Sequence, residues 1–253
     1  ARIKARVQEI AEVLEIEDKL HKKAKNLTAD EKQKVSMGRG LVREDVSAIL
    51  FDEPLTVIDP QLKWKLRRKL KQIHEQFDIT MVYVTHDQLE ASTFADKIAV
   101  MYDGQIVQFG TPTELFEQPN HTFVGYFIGS PGMNLIEVEP SATGVRFGAT
   151  EIPLLPWQLE SLKRLKSTNI KVGIRPEFIN LEIKPEAKSH ECEVLDMEDL
   201  GTYKIIDARL NTQTLKVRVD EDFDVEIGSR VYLTMPPQWT MLYVDEFLVQ
   251  EQS

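Results

Sequence analysis

The stretch from Ser47 to Asp59, SAILFDEPLTVID, constrains this chain most. Ala48, Ile49, Leu50 and Phe51 run straight into two acids, Asp52 and Glu53, and a short loop then ends on Asp59. A short continuous apolar run reads as a strand buried on both faces of a parallel sheet. Carboxylates at the C-terminal end of such a strand stand where open α/β sheets place their ligands. Burying them without a partner is costly, so a cation or a reacting group is expected beside them. The plainer alternative is a strand that ends in a polar turn.

Composition narrows the classes of function. The 253 residues suffice for one large or two ordinary domains, and 42% hydrophobic residues suffice for a core. A net charge of −10 at pH 7 argues against nucleic acid as a partner. The single cysteine, Cys192, rules out a disulfide framework and a cysteine-rich metal site, and it suits a reducing compartment. No apolar run approaches the roughly 20 residues that span a bilayer, and no signal peptide is visible.

Residues 1 to 20 read as an amphipathic helix with Ile3, Val7, Ile10 and Leu14 on one face. A second helix is expected from about Thr28 to Val42, with Thr28 and Glu31 forming a capping box. Helix N-termini attract anions, although an ordinary capped surface helix would read the same way. Asp59-Pro60 starts a helix that runs to about Phe77, with Leu62, Leu66, Leu70, Ile73 and Phe77 on one face. Its basic residues Lys63, Lys65, Arg67, Arg68, Lys69 and Lys71 read as a solvated face. A second buried strand, Thr80 to Val84, ends on Thr85-His86-Asp87 and is followed by a helix to about Ala95. A hairpin closed by Asp103-Gly104 follows, then a capped helix opening at Thr111-Pro112-Thr113-Glu114. Two strand ends thus offer Asp-Glu and Thr-His: a metal-binding acid, a general base and a hydrogen-bonding imidazole.

After the turn-rich joint Gly129-Ser130-Pro131-Gly132, short β-rich segments take over. Asn134–Glu139, Gly144–Phe147, Ile170–Ile174, Glu191–Met197, Lys204–Leu210, Leu215–Val219 and Arg230–Leu233 read as strands, and Pro156–Leu165 as a helix. A small β-barrel or sandwich is expected. Trp157 and Trp239 are either sugar platforms or packing residues, and His190 with Cys192 are too few ligands for a metal.

SAILFDEPLTVID, followed by YVTHDQLEASTFADKIAVMYDGQIVQFGTPTELFEQPNHTFVGYFIGSPGMNL, resembles the ATP-binding subunit of an ABC transporter, and more narrowly the carbohydrate and glycerol-phosphate importer group. The match runs from about Leu27 to Leu135, and KVGIRPEFINL resembles a motif of the regulatory domain of these importers. The resemblance implies an α/β fold, the C-terminal part of an ABC ATPase domain over residues 1–130, then a small OB-like β-barrel regulatory domain over 131–253. It implies that Asp52 holds Mg²⁺ through water, that Glu53 orients or activates the attacking water, and that His86 contacts the γ-phosphate of ATP. Asp59 would lie in the loop that crosses a dimer interface. The implied partners are a second ATP-binding subunit placed head to tail, membrane-spanning permease subunits, and a regulatory protein or ligand on the barrel. The implied location is peripheral, on the cytoplasmic face of the cell membrane.

Two departures from the family pattern stand out. No G-x-x-x-x-G-K-[ST] phosphate loop occurs in the 253 residues, so the chain resembles the C-terminal part of a longer subunit and is expected not to hydrolyse ATP alone. The family signature LSGGQ reads LTADE here, placing Ala29, Asp30 and Glu31 beside Thr28. In the family these positions present backbone N–H groups to the phosphate on the opposite subunit. Side chains in place of glycines obstruct that approach, and added carboxylates repel a polyphosphate. A dimer with an ordinary partner would then have one active and one impaired site; drift with retained function is the alternative. Two other functions compete, a non-catalytic regulatory or scaffold protein and an ABC-type ATPase without a transporter.

Overall fold

The computed structural model describes residues 2–43, 46–56, 58–77, 79–164 and 167–251, the side chains of 61, 62, 76 and 77 apart. Two compact units divide between Asp96 and Lys97. No helix among the described residues is long and apolar enough to cross a membrane.

The first unit opens on α1 (Arg2–Val13). It ends well before residue 20, because Glu15 takes a left-handed φ of 56°, which breaks the helical ladder. Ile10 and Leu14 are buried as the spacing predicts, but Ile3 is 79% exposed and Val7 is exposed as well, whereas Arg6 between them is buried and donates to Leu41 O at 3.0 Å. α2 (Ala29–Leu41) begins with the expected capping box, and Leu14 packs against it where Gly38 leaves room: a Cβ there would lie 3.2 Å from Leu14 Cδ1. β1 (Ala48–Asp52) is joined through α3 (Pro60–Phe77) to β2 (Thr80–Val84), and α4 (Gln88–Phe94) follows. The two strands pair in parallel from Ala48↔Thr80 to Asp52↔Val84. Leu66, Leu70 and Ile73 of α3 join Ile49 and Phe51 in one core; the expected contributions of Leu62 and Phe77 lie outside the described residues.

One expectation fails here. β1 and β2 are not buried on both faces: Leu50 is 75% exposed and Val82 and Val84 are about half exposed. Burial alternates along β1, with Ile49 and Phe51 inward, as in a sheet whose core lies on one side.

The second unit begins with the hairpin of β3 (Ile98–Tyr102) and β4 (Gln105–Gly110). Its turn residues Asp103 and Gly104 both have positive φ, 48° and 73°, as a two-residue hairpin of this handedness requires. α5 (Pro112–Glu117) carries the expected Thr111–Glu114 capping box, and α6 (Thr122–Phe127) follows. Then come β5 (Asn134–Glu137), β6 (Glu139–Pro140), β7 (Gly144–Phe147), β8 (Thr150–Pro153), α7 (Pro156–Arg164) and β9 (Ile170–Ile174). Leu165, the predicted end of α7, lies outside the described residues. β10 (Asn180–Glu182), β11 (His190–Asp199), β12 (Tyr203–Leu210), β13 (Gln213–Asp220), β14 (Arg230–Thr234), β15 (Met241–Val244) and β16 (Phe247–Leu248) complete the unit. The sheets β10-β14-β11-β12-β13, β16-β15-β9-β5 and β6-β7-β8 share one hydrophobic core. Asn134 on β5 links two of them as a stand-in for backbone: its Oδ1 accepts from Lys216 N–H and its Nδ2 donates to Lys216 O, both at 2.8 Å.

Arg175, in the GIRPE segment after β9, is buried to 1% exposure. Its Nε donates to Phe116 O at 2.8 Å, its Nη1 donates to Ile128 O at 2.6 Å, and its guanidinium lies 3.8 Å from the Phe116 ring centre. It thereby ties the α5–α6 segment to the β-rich core. Arg175→Met keeps an apolar stem but leaves both carbonyls without a donor, each costing about 1–3 kcal/mol. Urea unfolding followed by Trp157 and Trp239 fluorescence, in a Trp64→Phe background, is expected to show a loss of about 2–6 kcal/mol.

Candidate functional site

The parallel pairing sets the ends of β1 and β2 side by side. Glu53 N–H donates to Val84 O at 3.0 Å, which carries the ladder one residue beyond β1. Glu53 then turns left-handed at φ 48°, uncommon for a non-glycine residue. Thr56 braces it: Thr56 Oγ1 lies 3.0 Å from Glu53 Oε2 and 3.1 Å from the Glu53 carbonyl. His86, just beyond β2, places Nδ1 2.6 Å from Glu53 Oε1. A carboxylate only accepts, so the ring nitrogen donates. This hydrogen bond raises the His86 pKa above the ordinary histidine value and holds the Glu53 carboxyl below the usual carboxylate range. Neither group is buried away from solvent, the Glu53 and His86 side chains being 37% and 76% exposed, so a water or a ligand can reach both.

The His86 loop is anchored from behind. Asp87 caps α4, its Oδ1 accepting from Leu89 N–H at 2.9 Å and Glu90 N–H at 3.1 Å. Thr85 Oγ1 accepts from Asp87 N–H at 3.0 Å and donates to Glu90 Oε2 at 3.1 Å. Sequence reasoning missed Thr56 and Glu90. Thr56 reads as an ordinary turn residue, and Glu90 reads as an acid complementing the first turn of a helix.

Asp52 sits exposed at the end of β1, and Asp59 precedes α3, its carbonyl accepting from Lys63 N–H at 2.9 Å. Contrary to the expectation from the apolar run, neither Asp52 nor Glu53 is buried in this 253-residue chain. Mg²⁺ keeps several waters and takes one or two protein carboxylates, a share that an exposed Asp52 fits. Among the described residues, no group of three or more His, Cys, Asp or Glu could hold a metal by itself.

Thr28, Ala29, Asp30 and Glu31 form the start of α2 and do not join the Glu53–His86 pair. Glu31 Oε2 accepts from Thr28 N–H at 2.9 Å, Thr28 Oγ1 accepts from Glu31 N–H at 3.2 Å, and Glu31 Oε1 pairs with Lys19 Nζ at 2.8 Å. Hydrogen bonding to Lys19, then to Thr28, holds the Glu31 carboxyl below its ordinary pKa. Asp30 Oδ1 is buried without a hydrogen-bond partner. One turn on, Gln33 Nε2 donates to Pro54 O at 2.9 Å, which links α2 to the loop after Glu53. In the second unit Trp239 stacks on Phe178 with ring centres 4.2 Å apart, and burial pushes the Cys192 thiol up to about 12.

Two domain families match the second half of the chain: the MalK OB fold domain over residues 129–179 and the TOBE domain over residues 172–242. Among relatives, an sn-glycerol-3-phosphate import ATP-binding protein UgpC of Salmonella choleraesuis is 37% identical over 97% of this chain and 68% of its own length. A protein of the same description from Agrobacterium fabrum is 35% identical over 91% of this chain and 61% of its own length. The oligosaccharides import ATP-binding protein MsmX of Bacillus subtilis is 35% identical over 90% and 64%. The chain spans roughly three fifths of the length of several relatives it matches, 59% to 61% in three of them.

The Glu53–His86 pair has a defined pH window. The raised His86 pKa contributes stability that is lost as pH rises through that value, and the lowered Glu53 pKa contributes stability that is lost as pH falls through its own. An NMR titration is expected to place the His86 midpoint above the ordinary value of about 6.5, and Glu53→Gln to bring it back down. An unraised midpoint in the unsubstituted chain would mean that the pair does not form.

Proposed function

Since the chain belongs to the family of sugar and glycerol-phosphate import ATP-binding proteins that carry MalK OB and TOBE domains, we propose that it supplies the water-activating end of an ATP-hydrolysing site that energises import of a sugar, polyol or glycerol phosphate. Residues 1–130 would be the later part of the ATP-binding domain and 131–253 the regulatory domain. The observation that carries this reading is the hydrogen bond between Glu53 and His86 at the adjacent ends of two parallel strands.

Glu53, with its charge preserved and its second oxygen braced by Thr56, orients the attacking water and accepts its proton. His86 holds Glu53 through Nδ1 and leaves its other ring nitrogen to face the transferring phosphoryl group. Asp52 would hold Mg²⁺ through water, and the ion supplies charge neutralisation on the phosphate oxygens when bound. Asp59 faces a second ATP-binding subunit set head to tail, and permease subunits dock on the pair. The subunit is peripheral on the cytoplasmic face of the membrane, with the barrel offered to a regulatory protein or ligand.

The 253-residue chain contains no phosphate loop to cradle the β- and γ-phosphates. Calorimetry with Mg-ATP on this chain is therefore expected to show neither tight binding nor turnover. In a full-length subunit assembled with its permease, Glu53→Gln is expected to keep nucleotide binding while lowering turnover by about 10²–10⁴-fold, the usual contribution of a general base. Unchanged turnover would sink the role of Glu53.

The start of α2 predicts the partner. Asp30 and Glu31 add negative charge where a phosphate would approach, so a dimer of identical full-length subunits is expected to hydrolyse ATP slowly. Adding a related subunit whose signature keeps its glycines is expected to raise the rate several-fold. A homodimer as fast as the mixed dimer would show the LTADE segment to be competent.

A further inference from the structure

Glu90 is the buried acid that the proposed chemistry leaves unused. It is 4% exposed on α4, a burial that carboxylates rarely reach unless paired. Its Oε2 accepts two hydroxyl protons, from Tyr83 at 2.9 Å and Thr85 at 3.1 Å, and its Oε1 lies 3.5 Å from Lys63 Nζ. Four segments therefore meet at one carboxylate: α3 through Lys63, β2 through Tyr83, the loop through Thr85, and α4 itself. Burial, then the hydrogen bond to Glu90, pushes the Tyr83 phenol well up, so it remains a donor.

We propose that Glu90 is a positioning residue: by fixing the Thr85 hydroxyl it holds the backbone on both sides of His86 and so keeps the imidazole on Glu53. The chain of contacts is continuous. The Thr85 hydroxyl gives its proton to Glu90 and accepts from Asp87 N–H, and Asp87 is held in turn by capping α4. His86 lies between these two residues with its ring in solvent, where a free side chain would sample several rotamers. A 2.6 Å contact from so exposed a ring needs a rigid backbone beneath it. Thr56 does the same for Glu53 on the opposite side. The ion pair with Lys63, whose side chain is 25% exposed, is weak grounds for stability as such, and a rigidly held loop gives the buried carboxylate a use.

The role rests on the reading of Glu53 and His86 as a working pair, but its test reads only the geometry of that pair and needs no turnover. His86 is titrated by NMR in the 253-residue chain and in Thr85→Val, Glu90→Gln and Tyr83→Phe. Thr85→Val keeps the shape of the side chain and removes only the hydroxyl. Thr85→Val and Glu90→Gln are expected to shift the His86 midpoint downward, toward that of Glu53→Gln. Tyr83→Phe removes the other hydroxyl on the same carboxylate, so it is expected to lower the melting temperature while the midpoint stays in place. An unmoved midpoint in Thr85→Val overturns the proposal, as does a shift in Tyr83→Phe equal to that in Thr85→Val, which would make Glu90 structural only. If Glu90→Gln fails to fold, Thr85→Val decides. A midpoint unraised in the unsubstituted chain overturns the Glu53–His86 pairing, and the positioning role with it.

Discussion

Everything at this site depends on the parallel register of β1 and β2. Pairing Asp52 with Val84, and extending the ladder through Glu53 N–H to Val84 O, is what sets an acid of one strand end within reach of the histidine of the other. Side chains alternate along a strand, so a slip of one residue would turn Ile49 and Phe51 out of the core and bring Leu50 in. The core thus enforces the register, and the register enforces the site. Leu66, Leu70 and Ile73 on the crossover helix belong to the same core as Ile49 and Phe51, so the packing that stabilises the first unit also supports the register behind the Glu53–His86 pair.

Much of this was legible in the chain itself, because it rests on local rules. Both capping boxes, Thr28 with Glu31 and Thr111 with Glu114, occur as their spacing predicts, and so does the turn at Asp103-Gly104. The strand ends were legible as residue types at the close of apolar runs. What was not legible needs partners distant in sequence. Continuous apolarity does not distinguish a strand covered on two faces from one covered on a single face, and Leu50, Val82 and Val84 are apolar yet exposed. The left-handed turn at Glu15 that stops α1 carries no glycine to announce it. Glu90 joins residues on two helices, a strand and a loop, and no periodicity connects Lys63 to it.

Two carboxylates of the first unit, Glu53 and Glu31, are held in opposite ways. Glu53 accepts from His86 and Thr56, keeps its charge, and remains open to solvent. Glu31 accepts from the backbone of Thr28 and pairs with Lys19, so both of its oxygens already have partners. One acid is braced and accessible; the other is engaged in closing its own helix.

That contrast separates charge from shape in the LTADE segment. A glutamine at Glu31 could make the same bond to Thr28 N–H, because its side-chain carbonyl accepts as a carboxylate oxygen does. What glutamate adds is a negative charge, and Lys19 offsets part of it. Ala29 adds one methyl group, a local obstacle only. Asp30 differs from both: it adds a charge and also leaves Oδ1 buried without a hydrogen-bond partner. An unsatisfied buried acceptor is destabilising, which offsets what a carboxylate in the first turn of a helix contributes. Repulsion of an approaching phosphate reaches farther than a methyl contact, since Coulomb energy falls only as the inverse of distance. Of the departures at the start of α2, Asp30 is therefore the one whose effect on a neighbouring anion is least compensated within this chain.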